Sequence, residues 1–287
     1  MKSNILFLGI LLSLLTISCS KDSADNSSIT ADEATVNAKI DLANDDVSDV
    51  VETQFNATMD NNTAGKSSEA ATIVYPIITR VPDFGTPITA GTLVTKTIDY
   101  GTAGVTLLNG NVLKGIIRIS FTYEPTAVSH TINYTFDNFY HNAIKFDGNK
   151  TFTRTMTAGT NSHPIVVMIM DMTATFPDGR VVQRTGTRTR EITAGYATPN
   201  VLMDNVYQVT GNWSTTFPNT SVQTSTITSP LIVKMSCMAV NKPLLVQGVI
   251  TIVRNTHTAT LDYGTGDCDN IAIFTINGVP HTIIIGD

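Results

Sequence analysis

Along most of the chain apolar and polar residues alternate one by one. In "HTINYTFDNFY" Ile132, Tyr134, Phe136 and Tyr140 share one face, while Asn133, Thr135 and Asp137 take the other. "VYQVTGNWSTTF" repeats the pattern with Tyr207, Val209, Trp213 and Phe217. Neighbouring side chains on a strand point to opposite faces, so this period of two predicts half-buried β-strands. Asn109-Gly110, Asp147-Gly148, Asp178-Gly179 and Asn277-Gly278 punctuate the runs. Asx-Gly supplies the positive φ angles of tight hairpins, so each pair predicts a turn. About ten to thirteen strands in sequential hairpins, with no βαβ alternation, predict a mainly β fold. Its form is an antiparallel meander, as a sandwich or a large curved sheet.

Before this region the period changes. In "TADEATVNAKIDLANDDVSDVVETQF" Val36, Ile40, Ala43, Val47, Val50 and Val51 recur at helical spacing, with Asp41, Asp45, Asp46 and Asp49 on other faces. Thr30 and Glu33 form a capping box, each side chain satisfying the other's free backbone N–H. One N-terminal amphipathic helix is predicted, with room for a break near Asn44. Its acids read as a solvated face, with a cation site as the alternative.

The first residues differ again. "MKSN" is a short basic start, and "ILFLGILLSLLTI" is an apolar run of signal-peptide length, too short to span a bilayer. It ends in "LTISCSKD", which resembles a bacterial lipobox with Cys19 as the lipidated first residue. An ordinary secretory leader is the alternative. The expected organisation is therefore a lipoprotein signal peptide at 1–18 and a polar tether at 19–29. An acidic helix and loop follow at 30–71, then a single antiparallel β domain at 72–287.

Composition narrows the class. Charged residues are only 15% of the 287, while threonine fills roughly one position in six. β-branched residues suit pleated surfaces, which agrees with an all-β exported chain. A formal charge of −6 leaves no basic footprint for nucleic acid. After lipidation of Cys19, Cys237 and Cys268 remain, and an even pair in an exported protein predicts a disulfide.

Two segments hold candidate chemistry. "DYGTGDCDN" gathers Asp262, Asp267 and Asp269, a candidate Ca²⁺ set, although Cys268 interrupts the alternation and no closing Glu follows. A tight turn at Gly264 and Gly266, with its acids facing water, is the plainer reading. In "PIVVMIMDMTATFPDGRVVQRTGTRTRE", a two-residue turn at Asp178-Gly179 would pair Phe176 with Val181. Met168, Met170, Met172, Phe176 and Val181 then share one face, and Arg184, Arg188 and Arg190 share the other with Asp171. The methionines read as core rather than as a Cu(I) site. The arginines could grip carboxylate or phosphate groups of a glycan or lipid, with solvated charge as the bland alternative.

The five histidines, at 130, 141, 163, 257 and 281, make no metal-binding spacing, and His141 reads as a strand end. No G-x-S-x-G, Walker A or G-x-G-x-x-G motif occurs, so no cofactor and no catalytic residue is implied. "KTIDYGTAGVTLLNG" and "ATLDYGTGDCDNIAIFTING" share D-Y-G-T, consistent with one turn geometry used twice.

On "TIDYGT", "RTGTRTREITAG", "YQVTGNWS", "SPLIVKMSC" and "LDYGTGDCDNIAIFTINGV", the chain is similar to a lipoprotein family of Bacteroidota without assigned chemistry. The resemblance implies an exported envelope protein and supplies no catalytic residue. Relatives carry a cysteine after the first D-Y-G-T; Val105 stands there, so a disulfide at that turn is absent. The expectation is a non-enzymatic protein anchored to the outer membrane, contacting an envelope protein or glycan. A glycan- or lipid-binding module and a hydrolase with a site assembled from distant residues are the alternatives.

Overall fold

The computed structural model describes residues 28–60, 76–198 and 201–286. The expected signal peptide, Cys19, nearly all of the tether and the 61–75 loop lie outside these residues. The chain opens with helix α1 (Ala31–Met59), 29 residues without a break at Asn44. Its start is the expected capping box: Glu33 N–H donates to Thr30 Oγ1 at 3.2 Å, and Thr30 N–H donates to Glu33 Oε2 at 3.0 Å.

Fourteen strands follow, all in one antiparallel sheet. The first seven are β1 (Ile77–Val81), β2 (Thr92–Asp99), β3 (Val105–Thr106), β4 (Val112–Tyr123), β5 (Ser129–His141), β6 (Ile144–Met156) and β7 (Pro164–Thr175). The rest are β8 (Val181–Ala194), β9 (Val206–Thr216), β10 (Val222–Lys234), β11 (Leu245–Arg254), β12 (His257–Thr265), β13 (Ile271–Ile276) and β14 (Val279–Ile284). Spatial order follows chain order, except that the short β3 pairs with β4 beside the main path. The sheet does not close into a barrel; β1 and β14 are its edges.

Helix α1 lies against the inner face of this sheet. Side chains of β2, β5, β6, β8, β9, β11 and β12 all hydrogen-bond to it. Neighbouring strands sit about 4.8 Å apart, so a flat sheet would hold β2 and β12 roughly 40 Å from each other. β5 bonds Asp46 and β12 bonds Asp41, acids about 7.5 Å apart along the helix. A flat sheet would hold those strands about 34 Å apart, so the sheet curls around the helix. Helix and strands share one core: Ile40, Val51 and Phe55 are fully buried beside Ile117, Phe152, Leu231 and Leu261. The helix is no separate N-terminal piece. It is the filling of the sheet.

Where the local pattern misleads, the backbone explains it. Asp147-Gly148 is not a hairpin but lies inside β6, with Gly148 opposite Met172. A Cβ on Gly148 would stand 2.3 Å from Asp171 O, so the glycine serves a close strand approach at φ +125°. The β5–β6 turn is instead Asn142-Ala143, with Asn142 at φ +54°. Irregular pairing around Asn138, at φ +48°, shifts the register of β5. Phe139 and His141 therefore turn inward in place of Tyr140. Along β9, Tyr207, Val209, Trp213 and the following Phe217 are buried as the alternation predicts.

Candidate functional site: a charged seam inside the sheet

The hairpin joining β7 to β8 decides where the arginines go. Phe176 N–H donates to Arg180 O, so Pro177, Asp178 and Gly179 form the loop. Thr175 pairs with Val181, one residue out of register from a two-residue Asp-Gly turn. A slip of one residue moves every side chain of a strand to the other face. Arg184 consequently stands opposite Met172, Arg188 opposite Met168 and Arg190 opposite Val166, all on the inner face. Val181 is exposed instead of core, and Val182 takes its place. Met168, Met170 and Met172 are buried core, as expected.

The arginines meet the helix acids. Asp41, Asp45 and Asp49 follow at spacings of four, which stacks them along one stripe of α1. Arg184 donates through Nη1 to Asp41 Oδ1 at 2.5 Å and through Nη2 to Asn37 Oδ1 at 2.6 Å. Arg188 donates to the same Asp41 oxygen. Tyr263 Oη donates to Asp41 Oδ2 at 3.0 Å. Arg190 bridges Asp49 and Glu52 at 2.6 and 2.7 Å. Arg184 and Arg188 are each 1% exposed, and Asp41 is fully buried. Their guanidinium carbons sit 5.1 and 4.4 Å from the Trp213 ring, and that of Arg190 sits 3.5 Å from the Tyr207 ring. Neither expected reading of the row survives. The arginines are not solvated, and their anion is the chain's own helix. The acids of α1 are not a solvated face.

The seam continues in both directions. Asp46 accepts from Asn109, Asn111 and His141 Nε2, each at 2.7 Å. Lys150 Nζ donates to Asn44 Oδ1 and lies 5.8 and 5.6 Å from the rings of Tyr134 and Phe136. Arg254 donates to Glu33 at 2.6 Å. Burying charge is tolerated only with partners, and here nearly every charge has one. Among the described residues Asp45 is the carboxylate left short: its Oδ2 has no partner there, and Arg188 Nη1 stands 3.7 Å from Oδ1. Burial raises its carboxyl to about 7 against the pull of Arg188 and Arg190. Burial also raises Asp49 to about 6, despite Arg190, and lowers Lys150 to about 7, with Arg188 and Arg184 pushing the same way. Beside Asp45, Ser48, Glu52, Arg188 and Arg190 is a void of about 10 Å³, enough for about one water.

The Asp262–Asn270 stretch behaves as a pinned turn. Asp262 Oδ1 accepts from Gly264 N–H at 2.8 Å, and Asp269 Oδ1 accepts from Ile271 N–H at 3.0 Å. Asp262, Asp267 and Asp269 are exposed. Among the described residues no cluster of acids, cysteines or histidines could hold a metal ion, so these three form no Ca²⁺ site. Cys237 and Cys268 are joined, with Cα atoms 5.3 Å apart. The bond ties the short 3-10 turn after β10 (Met235–Val240) to the loop after β12.

His141 is the residue whose role the sequence hid most fully; its only signal is its place at the end of a strand. His163 donates toward Asn161 O and Glu191 Oε1, both at 2.8 Å. These two acceptors raise its pKa.

A larger cavity, about 220 Å³, opens between α1, the first D-Y-G-T turn and the 3-10 turn after β10. No protein-family model matches the chain, and no curated protein or solved structure matches it significantly.

Proposed function

We propose that this chain is a lipid-anchored envelope protein, held to the bacterial outer membrane through Cys19, that acts by non-covalent contact and not by catalysis. The observation that carries the reading is the filled concave face. A long curled sheet usually offers its interior to a ligand, but here the chain's own helix occupies it. The arginine row that would have gripped a glycan is spent on Asp41, Asp49 and Glu52. The outer face and the two edges remain for partners. Apolar residues stand exposed there, among them Leu93, Ile169, Ile273 and Ile284. The leader and Cys19 support the anchor, and two or more acyl chains hold a protein firmly to a bilayer.

The test joins anchoring to contact. Palmitate should label the wild type and not Cys19→Ala, and the variant should leave the membrane fraction. A photo-crosslinking residue at Leu93 or Ile169 should trap discrete envelope partners from the anchored protein. Equal labelling of both forms would remove the anchor, and no adduct from any outer-face position would remove the interaction role.

A further inference from the structure

We propose that Lys150 and Asn44 join into an internal amide bond, Nζ to Cγ, that fixes α1 to β6 covalently. The inference stands on this contact and not on the membrane anchor or the partner surface. Lys150 Nζ donates to Asn44 Oδ1, and the two residues are 2% and 0% exposed. The carbonyl carbon lies one C=O bond, about 1.2 Å, beyond that oxygen. A hydrogen-bonded amine therefore stands close to the near-attack distance of about 3–3.5 Å. Both groups sit on rigid elements, Asn44 in the middle of α1 and Lys150 between Tyr134 and Met170 of the neighbouring strands. Closing a loop across 106 residues, the bond would keep α1 inside the sheet independently of the ion pairs of the seam.

The surroundings suit a nucleophile better than an ammonium ion. Among the described residues Nζ meets Asn44 Oδ1 and the rings of Tyr134 and Phe136, with no carboxylate at ion-pair distance. Burial lowers Lys150 to about 7, with Arg188 and Arg184 pushing the same way. A neutral amine with a free lone pair is therefore populated at neutral pH. Asn44 Nδ2 has no hydrogen-bond partner among the described residues, whereas the amide nitrogens of Asn37, Asn109, Asn111 and Asn142 all donate. The lone pair of Nζ adds to Cγ, and the C=O π pair moves onto Oδ1. One proton passes from Nζ to Nδ2, the C=O re-forms, and the Cγ–Nδ2 bond breaks to release ammonia. Nothing is oxidised or reduced, and no co-reactant is consumed. Asp45, next along the helix, has a charge that acts on Lys150 and an Oδ2 without a partner among the described residues. Burial raises its carboxyl to about 7, which suits it to pass that proton at neutral pH. Lys150 titrates only until the bond forms, so its pKa and its part in any pH profile belong to the uncondensed chain.

A peptide map of the denatured, reduced wild type tests the bond and needs no variant to fold. From an unjoined chain trypsin would free residues 40–66, 146–150 and 151–154. The bond instead joins 40–66 to an uncleaved 146–154, lighter by one ammonia than those two peptides together. Fragmentation should place the branch on Asn44 and Lys150. Lys96, whose Nζ has two acceptors on Gln54, should be cleaved normally and serves as the internal control. Sampled during cell-free synthesis at neutral pH, Asp45→Asn should form the bond at least about tenfold more slowly than wild type. Unjoined peptides accounting for the whole population, or a branch at any other residue, would overturn the bond. Wild-type speed in Asp45→Asn would overturn the part given to Asp45.

Discussion

The two D-Y-G-T turns are built alike and tied down differently. In each, the aspartate caps the glycine: Asp99 Oδ1 accepts from Gly101 N–H at 2.7 Å, and Asp262 Oδ1 from Gly264 N–H at 2.8 Å. Each lies beside a register break at a glycine of the paired strand, Gly115 in β4 and Gly248 in β11. Both glycines have positive φ, and a Cβ on either would meet a neighbouring carbonyl, at 1.9 Å and 2.4 Å. Each turn buries its tyrosine. There the likeness ends. At the second turn the tyrosine bonds Asp41, Asp41 holds two guanidiniums, and a disulfide closes the loop beyond. At the first turn the tyrosine makes no side-chain bond to α1 among the described residues, Val105 stands in place of a cysteine, and a cavity remains. One local geometry thus serves a locked site and an open one. What differs is what surrounds each turn, a bond to Asp41 and a disulfide at the second and neither at the first among the described residues, not the turn itself.

The comparison breaks most readily at the acids. Asp41→Ala strands Arg184 and Arg188 without a counter-charge in the core and should cost about 3–5 kcal/mol in chemical denaturation. Asp46→Asn, on the side of the first turn, loses bonds to neutral amides and His141 and should cost about 1–3 kcal/mol. Equal losses would mean that the two turns are equally secured. Next in size is the disulfide. Cys237→Ala/Cys268→Ala opens a loop of 31 residues and should cost about 3–4 kcal/mol on the chain-entropy model. Urea midpoints of the oxidised, reduced and alanine forms measure it, and the last two should agree.

The tyrosines give a smaller and cleaner contrast. Tyr263→Phe removes a hydrogen bond to a buried carboxylate and should cost about 1.5–3 kcal/mol. Tyr100→Phe removes no hydrogen bond made among the described residues and should leave the melting temperature close to wild type. A comparable loss from both would show that Tyr100 has a partner in the folded state.

The smallest effect is in the pH profile of the seam. Asp45 and Asp49 carry pKa values raised above the usual carboxylate value of 3.8, to about 7 and 6. The folded state holds their protons more tightly, so their contribution to stability is lost as pH rises from about 4 to 7. Lys150 is lowered to about 7 and Lys96 to about 8, both by burial first. Their unfolded forms bind protons more tightly, so stability returns as pH rises toward about 10.5. Melting temperature should pass through a shallow minimum near neutral pH. Asp45→Asn should flatten the acid limb and Lys150→Met the alkaline one; a maximum near pH 7 in wild type would contradict these assignments.

How much of this could be read beforehand follows from where the information lies. Alternation by two is local, so the meander, the Met168–Met172 core and the buried face of β9 were legible. The cysteine pair was legible on the expectation that Cys19 is taken by lipidation, which leaves Cys237 and Cys268 to each other. The capping box at Thr30 and Glu33 was legible for the same local reason. The seam was not, because it depends on one residue of register in the Pro177-Asp178-Gly179 loop. An Asp-Gly pair signals a turn without fixing its length, and an error of one put Arg184, Arg188 and Arg190 on the outer face. The same limit applies to His141, whose inward direction comes from the irregularity at Asn138. The stacked acids Asp41, Asp45 and Asp49 had a complement in the arginines at 184, 188 and 190. Matching a helix stripe to a strand stripe was the available signal. Isolated windows hide it, because neither stripe is apolar and each alone reads as solvated.

Buried carboxylate–guanidinium pairs lock the helix inside the sheet. A thermodynamic cycle on Asp41 and its two arginines tests this most directly, because breaking a buried pair costs far more than replacing it whole. Asp41→Leu alone should lose about 3–5 kcal/mol, and combining it with Arg184→Met and Arg188→Met should recover most of that loss. Losses that simply add across the three substitutions would show that these side chains do not hold one another in the core.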